Sequence, residues 1–334
     1  MKEINEKFMN VCLMILASVA IVVALIYAKN IFIPFVISIF IYFILSPLFK
    51  FFQFNNKLPK SVAMLIVVLI FLGVSFSAVF FTANSIQGFF ESTGEYQDKI
   101  ISFIDWGDSL IKNHNIDVGA ATIKDYVKQL PFFSMVRKFT GSVFTFIGNS
   151  LLIMIFVLFM FWGQKRTSIS SNTLNEMKQK ISRYVITKFF LSLLTGLLVT
   201  TILLSCNVDL AIMFGVLTVL LNFIPNIGSI VATILPLPVV LIQFGFSLEF
   251  YLVLILSTLV QFTIGNILEP KIMGDGLDLH PITVLLFLMF WGLIWGIPGM
   301  FLAVPITSVV KIVLSKIDAT KPVAELLAGR IKPR

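Results

Sequence analysis

Charge is scarce in this sequence: Asp, Glu, Lys and Arg make up 13% of its 334 residues, against 58% hydrophobic residues and a mean hydropathy of +0.99. That balance excludes the soluble classes and fits a polytopic membrane protein. Cysteine is almost absent, with Cys12 and Cys206 far apart, so no disulfide framework is expected. His114 and His280 are the only histidines, and neither has neighbours at metal-ligand spacing, so no zinc or iron centre is expected. A P-loop, a dinucleotide fingerprint, a serine-hydrolase elbow and a zincin motif are all missing. The sequence therefore predicts neither an enzyme nor a cofactor. Its net charge of +8 lies in short loops between apolar runs, where basic residues orient spans and do not bind nucleic acid.

What is present is a series of apolar runs. Six are long enough for single spans, at about 8–28, 31–49, 61–83, 141–163, 186–206 and 250–268. The first is too long for a secretion signal, lacks a small-residue cleavage site, and is followed almost at once by the second. Two more runs, 210–248 and 281–310, hold 39 and 30 uncharged residues, too many for one straight crossing. Each is broken midway, by Pro225-Asn226-Ile227-Gly228 and by Gly296-Ile297-Pro298-Gly299, and each is expected to fold back as a hairpin.

Lysine and arginine set the expected orientation. Loop 50–60 has Lys50, Lys57 and Lys60, loop 164–188 has six bases against Glu176, and the tail carries six bases from Lys311 to Arg334. These regions and the N-terminus are expected in the cytoplasm. The hairpins then open to opposite faces, each after a single span, as in an inverted repeat. The predicted fold class is all-α: six spans, two Pro/Gly-broken hairpins, and an extracytoplasmic amphipathic insert at 84–140. The expected divisions are 1–83, 84–140, 141–184 with a short surface helix over 172–185, a transport core at 185–316, and a basic tail at 317–334.

Polar groups at membrane depth are costly unless satisfied, so they mark candidate sites. One group surrounds the first tip: Asn222, Pro225, Asn226, Gly228, Ser229 and Thr233. A broken helix there would offer free backbone groups and amides to a polar solute or a cation, or Asn226 and Gly228 would simply cap a turn. Pro298 and Gly299 are the counterparts at the second tip. The other group is Asn266, Glu269, Pro270, Lys271 and Gly274, at the cytoplasmic end of a span. Pro270 should make Glu269 a helix end, where the carboxylate would guard a passage or carry a proton, or merely sit at the interface beside Lys271. Asp275, Asp278 and His280 read as the following loop, Asp209 and Glu249 as interfacial charges, and Trp162, Trp291 and Trp295 as interface or packing residues.

Asn266-x-x-Glu269-Pro270-x-x-x-Gly274, Leu279-His280-Pro281, Phe290-Trp291-Gly292, Trp295-Gly296-Ile297-Pro298-Gly299, Ala303-Val304-Pro305 and Ile224-Pro225-Asn226-Ile227-Gly228 together resemble the autoinducer-2 exporter family of bacterial permeases. The motif match covers about 185–315; upstream, only the order of spans and insert is similar. The resemblance implies an eight-segment inner-membrane protein that exports small polar molecules, with sodium/proton antiport in other members. It also implies homo-oligomers, a pentamer being one such state. Two departures stand out: Asn226 replaces the aromatic often found beside the tip proline, and Gly163-Gln164-Lys165 lacks the acid often found after the fourth span.

The leading expectation is a transporter of a small polar solute or autoinducer-2-like signal, passing between the two opposed hairpins. Asn226 and Ser229 would touch the solute, Gly228 and Gly299 would allow close backbone approach, and Asn266 with Glu269 would gate. The alternatives are a Na⁺(Li⁺)/H⁺ antiporter titrating Glu269 and an envelope scaffold whose insert binds a partner.

Overall fold

The computed structural model describes residues 2–55, 58–91, 150–163, 172–273 and 277–330. Among them there is no strand, and six helices are long and apolar enough to cross a membrane. The all-helical membrane fold is therefore as expected. Most of the insert, the first part of the fourth run, and Gly274 lie outside the described residues.

Contacts divide the chain into two interleaved compact units. The first holds 1–56, 149–185 and 275–334; the second holds 57–148 and 186–274.

In the first unit, α1 (Lys2–Tyr27) and α2 (Lys29–Lys50) are followed by a π-helical turn at Phe51–Asn55. The helix α4 (Ser150–Trp162) packs on α2 through Phe161, whose ring centroid lies 4.6 Å from that of Phe49 and 4.8 Å from that of Tyr42. Two later helices, α11 (Pro281–Trp295) and α12 (Ile297–Leu314), form the second hairpin, and Phe301 of α12 meets Phe40 of α2. A 3₁₀ turn at Asp318–Thr320 leads into the short α13 (Lys321–Leu327).

In the second unit, α3 (Lys60–Glu91) runs eight residues past the expected end of its span, so the start of the insert is helical. The expected surface helix at 172–185 and the span at 186–206 are one helix, α5 (Asn172–Ser205), that continues from the first unit into the second. No proline or glycine interrupts 172–195, so nothing stops the helix at the polar-to-apolar boundary. The first broken run forms three helices instead of two arms: α6 (Ala211–Leu221), α7 (Ile227–Ile234) and α8 (Leu237–Phe244). Pro236 and Pro238 divide the second arm, because a proline cannot donate the N–H that would continue the ladder. The next span is α9 (Leu248–Phe262), then a π-helical stretch at Thr263–Leu268 and α10 (Glu269–Met273).

Val199 and Leu203 of α5, Met213 and Phe214 of α6, Val239 and Val240 of α8 and Val253 of α9 form the buried core of this unit. Gly215 lets α5 and α6 approach closely: a Cβ there would lie 1.7 Å from Thr200 Oγ1, and one at Gly196 would lie 2.8 Å from the Gly215 carbonyl oxygen. Small residues at crossings are the usual way for helices in lipid to gain contact. Leu69, Phe76, Leu197, Leu259 and Met289 point outward, as lipid-facing side chains do.

Candidate functional site

Both broken runs turn back on themselves, and each tip is closed by a glycine against the arm before it. A Cβ on Gly228 would stand 1.8 Å from the Leu221 carbonyl oxygen, and one on Gly299 would stand 1.9 Å from the Trp291 carbonyl oxygen. Only hydrogen fits in either place. The space beside both glycines is thus filled by the hairpin's own backbone.

The first tip is built around Asn226, which has φ 60 and ψ −55. Its neighbours close a three-residue turn, with the Ile227 N–H donating to the Pro225 carbonyl at 2.6 Å. This γ-turn with positive φ is rare and strained for a residue other than glycine. Asn226 makes no side-chain capping bond, so the capping alternative does not describe its side chain, which is exposed. Ser229 is half-buried and its carbonyl accepts from Thr233 Oγ1 at 3.0 Å. Asn222 is buried, and its Oδ1 has no hydrogen-bond partner. At the second tip Gly296 has φ 68, Pro298 occupies the first turn of α12, and both lie in the first unit.

Glu269 is not a helix end. The preceding stretch winds with π geometry, and the Glu269 N–H donates to the carbonyl of Ile264, five residues back. This wider turn lets the chain pass Pro270 in helical conformation, and one extra residue turns the following side chains by about 100° around the axis. Glu269 then meets Lys188 of α5, with Oε1 2.5 Å from Nζ. The lysine side chain is 6% exposed and the carboxylate side chain 24%. Lys271, the expected neighbour, is exposed, and so are Asn266 and Pro270; Asn266 Nδ2 donates to the Phe262 carbonyl at 3.2 Å. The charge pattern predicts Lys188 as an orienting charge of a cytoplasmic loop. It is instead a buried residue of α5.

Six further residues carry buried polar atoms with no partner: Ser192 on α5, Ser257 and Gln261 on α9 and Ser247 just before it in the second unit, and Trp291 and Ser308 in the first. Ser192 and Ser257 are 1% exposed, and Gln261 and Asn222 are 7% exposed. Such atoms cost about 1–3 kcal/mol each when left unpaired. The signal that could have found those on α5 and α9 is spacing. Lys188 and Ser192, and likewise Ser257 and Gln261, stand four apart, on one helical face within otherwise apolar runs.

Most of the remaining candidates have structural partners. His280 caps α11, its Nδ1 accepting from the Ile282 N–H at 3.3 Å, while its own N–H donates to the Leu327 carbonyl at 3.0 Å. Asp278 holds Lys311 and Arg330. The Asp209 N–H donates to Gln243 Oε1 at 3.1 Å, and Gln243 Nε2 donates to the Asn207 carbonyl at 3.0 Å, which ties the loop before α6 to the end of α8. Trp295 is buried and donates to the Leu25 carbonyl at 3.1 Å, Trp291 is buried with its Nε1 lacking a hydrogen-bond partner, and Trp162 is exposed. No group of metal-ligand residues occurs among the described residues.

Comparison with known proteins gives a match to the AI-2E family transporter model over residues 13–319. The AI-2 transport protein TqsA of Escherichia coli K12 is 29% identical over 313 residues, covering 90% of each chain. A protein of Haemophilus influenzae is 30% identical over 317 residues, again covering 90% of each. YhhT of Escherichia coli K12 is 29% identical over 332 residues, covering 96% of this chain and 95% of its own.

Proposed function

This chain belongs to the AI-2E transporter family, and on that premise we propose that it moves a small polar solute across the membrane through the second unit. The observation that carries this reading is the set of buried, unpartnered polar atoms on Ser192, Asn222, Ser257 and Gln261 in a membrane-spanning fold. A bilayer offers such atoms no water, so a permeant with hydroxyl or carbonyl groups is the natural source of their missing hydrogen bonds. Asn226 and Ser229 would meet the solute at the tip. Glu269 would gate, with Lys188 as its latch, and Asn266, Pro270, Lys271 and Gly274 would shape that end of the span.

The name of the Escherichia coli relative TqsA makes an autoinducer-2-like molecule the first solute to try, in the direction of export. The proposed setting is the bacterial inner membrane, in a homo-oligomer with both termini in the cytoplasm.

Vesicles containing the purified protein test the reading through uptake and efflux of a panel of small polar metabolites. Flux is expected for at least one, and it should fall in Asn226→Leu and Glu269→Gln. Unchanged flux in both variants would remove the assigned site. One observation favours a second reading, cation/proton exchange: Glu269 already holds a cationic group, Lys188 Nζ, which Na⁺ or Li⁺ could replace. A pH dye in the same vesicles separates the two, because only exchange moves protons when Na⁺ is added.

A further inference from the structure

A cavity of about 340 Å³ lies in the first unit, at the end of α12 and against α13, and none of its lining residues is among those assigned to transport. Its charged lining is unbalanced. Lys180, Lys311, Lys316, Lys321 and Arg330 face Asp278 and Glu325, a difference of three positive charges.

Asp278 is already committed. Its Oδ2 and its backbone carbonyl accept from Lys311 Nζ at 2.5 and 2.6 Å, and its Oδ1 accepts from Arg330 Nη2 at 3.0 Å. The carboxylate holds both bases in place and has little capacity left for the others. Arg330 is 70% exposed, and its guanidinium has five N–H donors, of which this bond uses one. Lys321 is paired with Asp318, but that pair is open to solvent and weakly neutralised. The last carbonyls of α12, which would repel an anion, are occupied: Lys311 O accepts from the Ser315 N–H, Val313 O from the Lys316 N–H, and Leu314 O from Thr320 Oγ1. Ala324 and Ala328, four apart on one face at the end of α13, leave the space that larger side chains would fill.

We propose that this cavity binds a phosphoryl-bearing anion, with Arg330 and Lys316 as its direct contacts. A guanidinium fork matches phosphate oxygens two at a time, and an adjacent ammonium adds a point charge. Basic pockets at the ends of membrane helices suit lipid headgroups as well as soluble phosphates, and both carry this chemistry. The bound anion bridges α12 and the segment after α13, so occupancy fastens the C-terminal segment to the hairpin.

The test is thermal stability of the full-length protein. One arm adds inorganic phosphate in detergent against chloride at equal ionic strength. The other compares nanodiscs of phosphatidylglycerol with nanodiscs of phosphatidylcholine. Phosphate or phosphatidylglycerol should raise the melting temperature. Lys316→Gln combined with Arg330→Gln should weaken the apparent affinity about tenfold or more. Ala328→Leu, which fills the space and keeps every charge, should do the same, while Lys50→Gln, outside the cavity, should change nothing. A response to phosphate alone assigns a soluble ligand, and one to phosphatidylglycerol alone assigns a headgroup. No stabilisation in either arm, or equal stabilisation of the wild type and both cavity variants, overturns the proposal.

Discussion

Removing the carboxylate of Glu269 would strand Lys188, whose side chain is 6% exposed, while removing Lys188 would strand a carboxylate that still reaches the surface at 24%. Breaking a buried pair by deleting one partner costs about 3–5 kcal/mol, whereas replacing both by apolar residues is often close to neutral. Glu269→Leu is therefore expected to be the costlier single change, about 3 kcal/mol, since it leaves the more buried charge unpaired. Lys188→Met should cost about 2 kcal/mol, because water can partly solvate the remaining carboxylate. The double variant should be less destabilised than the sum of the singles by at least about 2 kcal/mol. Denaturant unfolding in micelles, followed by tryptophan fluorescence, gives all three values. Additive costs would show that the two groups do not act as a pair, and the latch assigned to them would be withdrawn.

The glycine closures make a second comparison. Gly228→Ala and Gly299→Ala each place a methyl group inside a backbone carbonyl and should cost about 3 kcal/mol or more, or abolish folded yield. Gly73→Ala, where nothing lies within 4 Å, should be neutral or stabilising by up to about 1 kcal/mol in the same unfolding assay. Asn226→Gly keeps the positive φ while deleting the amide, so flux should fall with stability unchanged or improved; a stability loss would mean that the amide serves the fold. Gly329→Ala combines φ 73 with a Cβ position 2.4 Å from the His280 ring, and should release the C-terminal segment to limited proteolysis.

Helices and breaks were legible in the sequence because their causes are local. Apolar runs gave the spans, and Pro225 with Gly228, then Gly296 with Pro298, marked the two tips. The surface helix at 172–185 and the span after it were both legible from helical spacing and hydropathy; that they form one unbroken helix follows from the lack of any breaker between them. Lys188 was not legible as the partner of Glu269. The pair is 81 residues apart, and the π-helical stretch that turns Glu269 toward it depends on packing, which no spacing rule encodes. Asn222 stands among the candidates on residue type and position, and the structure buries it. Ser192, four from Lys188, and Ser257 with Gln261, four apart, stand out in the sequence as polar residues, but their lack of partners is a property of the folded chain.

Those unpartnered atoms give the most direct test of the central claim. Ser192→Ala, Asn222→Leu, Ser257→Ala and Gln261→Met, combined, should raise stability, since each unpaired buried polar group costs about 1–3 kcal/mol. Solute flux in vesicles, measured on the same preparation, should be lost. A variant that is more stable and still transports at the wild-type rate would contradict the account.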